Sequence, residues 1–371
     1  MKKISKWGVA LVLFFTLSLF SLPVIMAEDW QSVADTTVQL FIKYLSIDTT
    51  NPPGDVSEAA EFLHQMLQKE GISSELIWTD KKTGRVNVLA RLEGNGDKPP
   101  LLMLNHMDTV PVDRSGWSVD PFKGIKKNGY IYGRGALDMK NFGIVQLMSM
   151  ILLKRNNVPL ERDVFFFAFA DEETSGALGS GWIAENKWQD IEAEYVLDDT
   201  PYNNALLRNT ISLTVLKGYV GNPPKSNVIP GKAEAVLDCR LLPGQNSYDF
   251  VKQLEKIIDD PRVKLEYIER PVESIVSLYE TELFQVIETE TKALFPDSET
   301  VPTLVIYGTD SRFYRRRGAS CYGFFPGPVS MEEYRTIHGN DERIRESSLR
   351  SAVRIYYNVV KSFCKSMPNT L

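Results

Sequence analysis

The sequence predicts an α/β protein with a mostly parallel, helix-covered central sheet and a small α+β unit inserted late in the chain. Three observations predict this fold class. Short, almost wholly apolar runs alternate with segments of helical periodicity up to about residue 204. From 205 to 276, apolar and polar residues alternate instead, as in half-exposed strands. From residue 277 onwards the first pattern returns.

Two helices, Val33–Ile47 and Val56–Lys69, open this pattern on either side of a loop that contains two consecutive prolines. Buried strands are predicted at Val86–Leu92, Leu101–Asn105, Val164–Ala170 and Tyr195–Leu197. Helices are predicted at Asn141–Lys154 and Leu178–Asn186, and the pair Asn128-Gly129 predicts a hairpin turn. Strands alternating with helices in this way indicate a parallel sheet.

The inserted unit and the segment after it follow in order. The unit is predicted to hold strands Ile211–Leu216, Ala233–Arg240 and Val263–Ile268 and a helix Asn246–Ile258. The later segment is predicted to hold helices Thr281–Leu294 and Ser347–Phe363 and strands Thr303–Ile306 and Ser320–Phe324. Residues 28–204 and 277–371 therefore form one domain, interrupted by residues 205–276.

The first 27 residues have the features of a targeting segment. Three lysines lie within the first six residues, and the run Trp7–Ala27 after them is uncharged. A basic start, an apolar middle and a small residue before Glu28 are typical of a secretory signal peptide, which predicts export to a periplasm or to the medium. The same run is about long enough to span a bilayer, so an uncleaved membrane anchor is the alternative. Pro23 and Ala27 favour cleavage.

Charge and cysteine content exclude several classes of function. The 371 residues carry a formal net charge of −6, so the protein has no electrostatic reason to bind nucleic acid. A membrane surface is a partner only if the N-terminal segment stays attached. Cys239, Cys321 and Cys364 are too few and too scattered for a disulfide framework or a thiolate metal site.

Acids and imidazoles follow several of the predicted strands and turns. The motifs are His106-Met107-Asp108, Gly133–Lys140 with Asp138, Asp171-Glu172-Glu173, Asp198-Asp199 and His338–Arg343. Open α/β sheets bind ligands at the carboxyl ends of their strands. In an extended segment His106 and Asp108 face the same side, where the carboxylate can hold the imidazole in its metal-ligating tautomer. Each motif alone is more typical of a solvated loop, but together they suit zinc, cobalt or manganese.

These motifs, in this order, resemble the metallopeptidase family of acetylornithine deacetylase, succinyl-diaminopimelate desuccinylase, aminoacylase and carboxypeptidase S. Leu104–Pro111 is similar to the family's His-x-Asp-x-Val-Pro, and Tyr132–Lys140 to its Gly-Arg-Gly-x-x-Asp-x-Lys. The remaining matches are Ala170–Glu173, Leu197–Asp199, Gly308–Arg312 and His338–Arg343. The resemblance extends from Val38 to Val359 with one gap.

The resemblance implies a zinc-peptidase-like catalytic domain with two divalent metal ions, zinc or alternatively cobalt or manganese. Asp138 would bridge the two ions, which are completed by His106 and Asp198 at one site and by Glu173 and His338 at the other. Glu172 would be the general base and acid, and Asp108 would orient His106. Asn227 and Arg240 would hold the substrate's carboxylate or carbonyl group. A surface ion pair is the alternative role for Arg240.

The inserted unit corresponds to the family's lid domain, but it is truncated. The family's lid begins with a strand and a helix that carry a Gly-His motif, whose histidine reaches the partner subunit's active site. This chain has three histidines and none between His106 and His338, so that group has no counterpart. The resemblance therefore predicts a monomer or a non-standard dimer.

The sequence thus predicts an exported metal-dependent hydrolase that cleaves amide bonds in small peptides or N-acyl amino acids. A di-zinc aminopeptidase with a similar catalytic domain is an alternative, against which Asn227 and Arg240 argue. The other alternative is a catalytically weakened or silent metal-binding homologue, which the truncated lid suggests. All five expected ligands and the base Glu172 are present, which favours an active enzyme.

Overall fold

The computed structural model describes residues 28–198, 209–268, 275–303 and 309–366. Its strands are β1 Ser73–Asp80, β2 Arg85–Leu92, β3 Leu101–His106, β4 Ile125–Lys127, β5 Tyr130–Tyr132, β6 Val164–Phe169, β7 Tyr195–Asp198, β8 Thr210–Lys217, β9 Glu234–Arg240, β10 Ser320–Gly323 and β11 Arg343–Arg345. Its helices are α1 Trp30–Leu45, α2 Ser57–Lys69, α3 Lys140–Arg155, α4 Ser180–Asn186, α5 Trp188–Ile191, α6 Ser247–Ile258, α7 Glu282–Leu294, α8 Ser311–Arg315, α9 Met331–Tyr334 and α10 Glu346–Cys364. The predicted leader lies outside the described residues, as does most of the predicted strand Thr303–Ile306.

The central sheet has six strands in the order β1-β2-β6-β3-β7-β10. The four strands β6, β3, β7 and β10 are parallel, whereas β2 is antiparallel to β6 and β1 is antiparallel to β2. In the β3–β6 register His106 is opposite Phe169, so these two strands end side by side. The segments after the strands consequently meet at one edge of the sheet, as expected for an open α/β fold.

Helices cover both faces of this sheet. Helices α1, α3 and α10 pack together on one face, where α3 is buried along nearly its whole length, from Lys140 to Leu153. On the other face, Phe165, Phe167 and Phe169 of β6 pack in a cluster with Ile183 of α4 and Tyr314 of α8. Alternate residues of β6 therefore enter different apolar clusters, which is why this strand has no polar residue.

The inserted segment holds the antiparallel pair β8–β9 and the helix α6. Its apolar side chains are largely exposed; Leu216, for example, retains 70% of its accessible surface. The strand predicted at Val263–Ile268 is wrong, because residues 259–268 form turns and irregular structure. A segment with alternating apolar residues forms a strand only where the edge of a neighbouring strand supplies hydrogen bonds. Within the described residues β8 and β9 pair only with each other, so residues 263–268 do not add a third strand to this pair.

Most other predicted elements of the described residues are present within a few residues of their expected bounds. The Asn128-Gly129 hairpin joins β4 and β5, and β11 extends this pair into a three-stranded sheet. Strand β1 was not predicted, because as an edge strand it is half-exposed and has only one buried residue, Ile77. No helix among the described residues is long and apolar enough to cross a bilayer.

Candidate metal centre

Four side chains predicted as metal ligands meet at the carboxyl ends of β3 and β6. His106 is the last residue of β3, and Glu173 follows β6. Asp138 lies in the turn between β5 and α3, and His338 lies in the loop before β11. One ligand atom from each of His106, Asp138 and Glu173 lies within 4.8 Å of the other two. The fold therefore gathers residues that are up to 232 positions apart (338 − 106) in the sequence.

Asp138 lies between the two imidazoles. Its Oδ1 is 2.9 Å from Nε2 of His106, and its Oδ2 is 3.2 Å from Nε2 of His338. Nε2 of His338 is also 3.4 Å from Oε2 of Glu173. Each carboxylate oxygen of Asp138 thus faces a different histidine, which is the arrangement that a bridging ligand requires.

The second nitrogen of His106 is held by Asp108, but through the backbone. Nδ1 of His106 lies 2.9 Å from the carbonyl oxygen of Asp108, whereas the nearest carboxylate oxygen is 3.6 Å away, beyond hydrogen-bond distance. The main chain of Asp108 therefore makes the shorter contact, and its carboxylate lies at ion-pair distance from the same nitrogen, so the orienting role of this side chain stays a prediction. With Nδ1 donating a proton to this carbonyl, Nε2 is the nitrogen that remains to bind a metal ion in place of its own proton.

The carboxylate of Asp108 instead organises the turn that carries the two glutamates. It accepts hydrogen bonds from the backbone amides of Glu172 and Glu173, at 3.1 and 3.2 Å. Its Oδ2 also accepts from Nδ2 of Asn51 at 2.7 Å. Oδ1 of Asn51 in turn accepts a hydrogen bond from Nη2 of Arg85 at 3.0 Å. Neither Asn51 nor Arg85 was identified from the sequence, where each stands in an ordinary loop or strand context.

The carboxyl group of Glu172 makes no hydrogen bond within the described part of the chain, and it is the free member of the adjacent glutamate pair. Burial raises its pKa well above the usual range; His106 opposes this rise, and Asp310 and Glu173 add to it. Burial also raises the pKa of Glu173, although the hydrogen bond from His338 counteracts it. An acid whose pKa is raised in this way is suited to exchange protons near neutral pH.

Asp198 is buried at the end of β7, as predicted, but it is not part of the ligand group formed by the other acids. Its Oδ2 accepts hydrogen bonds from the amide and the hydroxyl of Ser311, at 2.9 and 2.7 Å. The alternative Asp199 lies outside the described residues. Beside Ser311, both carboxylate oxygens of Asp310 are buried and have no hydrogen-bond partner among the described residues. Burial, reinforced by Asp198, raises the pKa of Asp310 to about 8.

The residues present fit a divalent cation centre. Oε1 of Glu173 is buried and has no hydrogen-bond partner in the part of the chain that the structure describes, which is costly for a carboxylate unless a cation is beside it. Oxygen and imidazole donors without cysteine suit zinc, cobalt or manganese. The hydrogen bonds to Asp138 and Glu173 raise the pKa of His338 to about 10, so the imidazole carries a proton where a metal ion could supply the positive charge.

The two expected substrate-binding residues lie in the inserted segment. Arg240 ends β9, and its Nη2 forms an ion pair with Asp238 at 2.8 Å. Asn227 lies in the turn region between β8 and β9. A substrate-binding role for either residue stays a prediction, and the ion pair of Arg240 is the contact that the alternative interpretation expects.

Comparison with known proteins decides the family. The model of peptidase family M20/M25/M40 matches residues 102–362, a range that includes all five predicted metal ligands, Asp108 and Glu172. The chain belongs to this family. Membership of a peptidase family confirms the predicted resemblance and the expectation of an amide-bond hydrolase.

Curated relatives in this family are similar over most of the chain. N-fatty-acyl-amino acid synthase/hydrolase PM20D1 of Mus musculus is 22% identical over 71% of this chain and 74% of its own length. Aminoacylase-1 of Sus scrofa is 25% identical over 91% of this chain and 97% of its own length.

Solved structures of family members share the fold. The M20 metallo-carboxypeptidase Sso-CP2 from Sulfolobus solfataricus has a TM-score of 0.72 at 17% identity, covering 91% of this chain and 99% of the other. The Bacillus subtilis protein YXEP, described as a dinuclear metal binding peptidase from the M20 family, has a TM-score of 0.63 at 14% identity, covering 90% and 98%. At these identities the likeness shows the α/β fold alone, which confirms the predicted fold class.

Proposed function

We propose that this M20-family chain is a two-metal hydrolase that cleaves the amide bond of small peptides or N-acyl amino acids. The observation that carries the proposal is the position of Asp138, with one carboxylate oxygen against each of two imidazoles. His106, Asp138 and Asp198 would hold one ion, and Asp138, Glu173 and His338 the other. Zinc is the first candidate, with cobalt and manganese as alternatives.

The chain's own residues then divide the work of hydrolysis. Bound divalent cations supply a water of lowered pKa and polarise the scissile carbonyl group. The unpartnered carboxyl of Glu172 takes the proton of the attacking water and returns it to the leaving amine. Asp108 keeps Glu172 in place, because it binds the backbone amide of that residue at 3.1 Å. Arg240 and Asn227 would hold the substrate's carboxylate or carbonyl group.

The substrate class rests on what the relatives act on and on the two residues of the inserted segment. Their names include an N-fatty-acyl-amino acid hydrolase, an aminoacylase and a carboxypeptidase. In the substrates so named, an acyl group is joined to an amino acid through an amide. An arginine such as Arg240 is suited to the free carboxylate that such a substrate presents.

Turnover of a substrate panel tests this function. Dipeptides, N-acetyl and N-long-chain-acyl amino acids and aminopeptidase reporters without a free carboxylate are assayed with zinc, cobalt or manganese. We expect hydrolysis of the dipeptides and of the N-acyl amino acids. The Glu172→Gln variant, which controls for contaminating hydrolases, should be slower by about 10²–10⁴-fold. Activity confined to the aminopeptidase reporters would favour the aminopeptidase alternative, and metal binding without any turnover would favour a silent homologue.

We further propose that the mature protein is exported after cleavage behind Ala27. Support comes from the lysines before the uncharged run Trp7–Ala27. Sequencing of the N-terminus of protein from the native host should give Glu28 as the first residue. An intact Met1 in a membrane fraction would show an anchor instead.

A further inference from the structure

A buried ion pair lies directly behind the bridging ligand. Arg134 and Glu342 are 2% and 0% exposed, and Nη1 of Arg134 is 2.5 Å from Oε2 of Glu342. Burying two charges in the interior is not by itself stabilising, because desolvation offsets their attraction. The position of this pair therefore requires another explanation.

Glu342 holds the turn that presents Asp138. Its Oε1 accepts the backbone amides of Leu137 and Asp138, at 2.7 and 3.1 Å, and its Oε2 accepts the amide of Gly135 at 3.2 Å. Helix α3 begins just after this turn and has no side-chain cap of its own. Without the Glu342 carboxylate these three backbone amides would lose their hydrogen-bond acceptor, and the conformation of the turn would be less well fixed.

The same pair also holds the segment of the second histidine. Glu342 is four residues after His338, and Nη2 of Arg134 donates to the carbonyl oxygen of Gly339 at 3.0 Å. In addition, the amide of Gly133 donates to the carbonyl oxygen of Glu342 at 3.0 Å. The turn of Asp138 and the loop of His338 are thereby joined by side-chain and backbone hydrogen bonds.

We propose that Glu342, supported by Arg134, is a positioning residue that sets the Asp138 carboxylate against the His338 imidazole. The inference rests on the proposed metal centre, since these two ligands would share one ion. Outer partners of metal ligands are known to change metal affinity or activity by about 10–100-fold. The Arg134–Glu342 pair connects the turn before α3, which carries Asp138, to the loop about 200 residues later that carries His338.

Three variants of the full chain test the proposal. Glu342→Gln keeps the shape and removes the charge. Because it leaves Arg134 buried and unpaired, it is accompanied by the double variant Arg134→Met/Glu342→Gln, which buries no charge. The control is Asp163→Asn, which removes a carboxylate that also binds an arginine, Arg91 at 2.6 Å, and a backbone amide, Gly94 at 2.8 Å. Asp163 precedes β6, at the end of the sheet opposite the metal centre.

The first measurement is hydrogen exchange of the metal-free proteins. We expect faster exchange in residues 133–139 and 335–341 of both Glu342 variants and unchanged exchange there in the control. The second is titration of the metal-free proteins with cobalt(II) alone. Both Glu342 variants should bind cobalt about 10–100-fold more weakly than the wild type, with an altered visible absorption spectrum, and the control within about threefold of it. At saturating cobalt, kcat should fall with KM little changed.

The proposal is overturned if the Glu342 variants exchange faster but bind cobalt with wild-type affinity and spectrum, because the pair is then only structural. Unchanged exchange would overturn it as well. A wild-type chain that binds no cobalt would instead overturn the proposed metal centre, and this inference with it.

Discussion

Glu172 is the residue on which the proposed chemistry depends most. Its neighbour Glu173 is engaged with His338 at 3.4 Å, so the two glutamates have different surroundings although they are adjacent. The amides of both are bonded to the same carboxylate of Asp108, which fixes their relative orientation. Glu173 is thereby directed towards Asp138 and His338, while the carboxyl of Glu172 has no hydrogen-bond partner among the described residues.

Glu172→Gln should lower turnover by about 10²–10⁴-fold while the metal content stays at the wild-type value, because a proton carrier is lost and no ligand is. Steady-state kinetics and elemental analysis of the same preparation measure both quantities. Loss of metal from the variant would show that Glu172 is itself a ligand. Near-normal rates with metal bound would show that another group is the base.

Asp310 should make the stability of the metal-free protein depend on pH. Its pKa is about 8 in the folded chain, against about 3.9 when unfolded, so between these values the folded state binds the extra proton. Stability is then lost as the pH rises from about 4 to about 8. In Asp310→Asn this loss is absent, so relative to the wild type the variant should gain on the order of a few kcal/mol across that range. The free energy of unfolding of both proteins is measured by denaturation at pH 5 and pH 8. A difference between variant and wild type that is the same at both pH values would contradict the raised pKa of Asp310.

At the residue scale the sequence predicted which side chains meet at the edge of the sheet better than it predicted the contacts that hold them there. His106, Asp138, Glu173 and His338 were identified because each stands in a short motif of distinctive composition. Alternation along a strand predicted that Asp108 lies on the same side as His106, but it does not reveal that the carbonyl oxygen of Asp108 comes nearer to the imidazole than the carboxylate does. Asn51 and Glu342 act through partners 57 and 204 residues away, a relation that no local pattern contains.

At the scale of elements, the centre is assembled from turns that are fixed by carboxylates. Asp108 binds the turn after β6, and Glu342 binds the turn before α3. Glycine at position 135 is required in the second turn, since its φ of +85° lies in the left-handed region. The strands form the rigid framework, and the hydrogen bonds of Asp108 and Glu342 fix the turns that carry the predicted ligands relative to it.

Asn51→Ala should weaken metal binding by about tenfold, because it removes the hydrogen bond that orients Asp108 and leaves Arg85 without its amide partner. Titration with zinc against a chelator of known affinity measures this effect. The matched control is Asn156→Ala, which removes an asparagine bonded to Tyr357 at 2.9 Å, at the end of α3 remote from the ligand turn. Equal affinities for the two variants would show that Asn51 does not act on the centre.

The elements with many apolar residues that pack in the core were predicted, and those that depend on partners were not. Buried apolar residues are numerous enough to predict an element from the sequence in helices α1, α3 and α10 and in strands β2, β3 and β6. Strand β1 was missed because an edge strand is half-exposed, and Val263–Ile268 was wrongly predicted as a strand because alternation cannot reveal whether a pairing edge is available.

At the scale of the whole molecule, the inserted segment differs from the rest of the chain in its exposed apolar surface. Its described residues expose many apolar side chains, among them Ile229 at 94% and Ile257 at 78%. The proposed short lid lacks the histidine that the family's lid supplies, so we propose a monomer or a dimer of different geometry. Light scattering of the purified chain measures its molar mass in solution and should give that of a monomer or of a dimer. A lid-paired dimer with full activity would show that another group replaces the missing histidine.

The central claim is a two-metal centre bridged by Asp138, and metal stoichiometry tests it most directly. Elemental analysis after saturation and removal of excess zinc should give two ions per wild-type chain. His338→Ala should give one, because it removes a ligand of one site and leaves His106 at the other. Two ions in the wild type and one in the variant would support the account. One ion or none in the wild type, or two in His338→Ala, would contradict it.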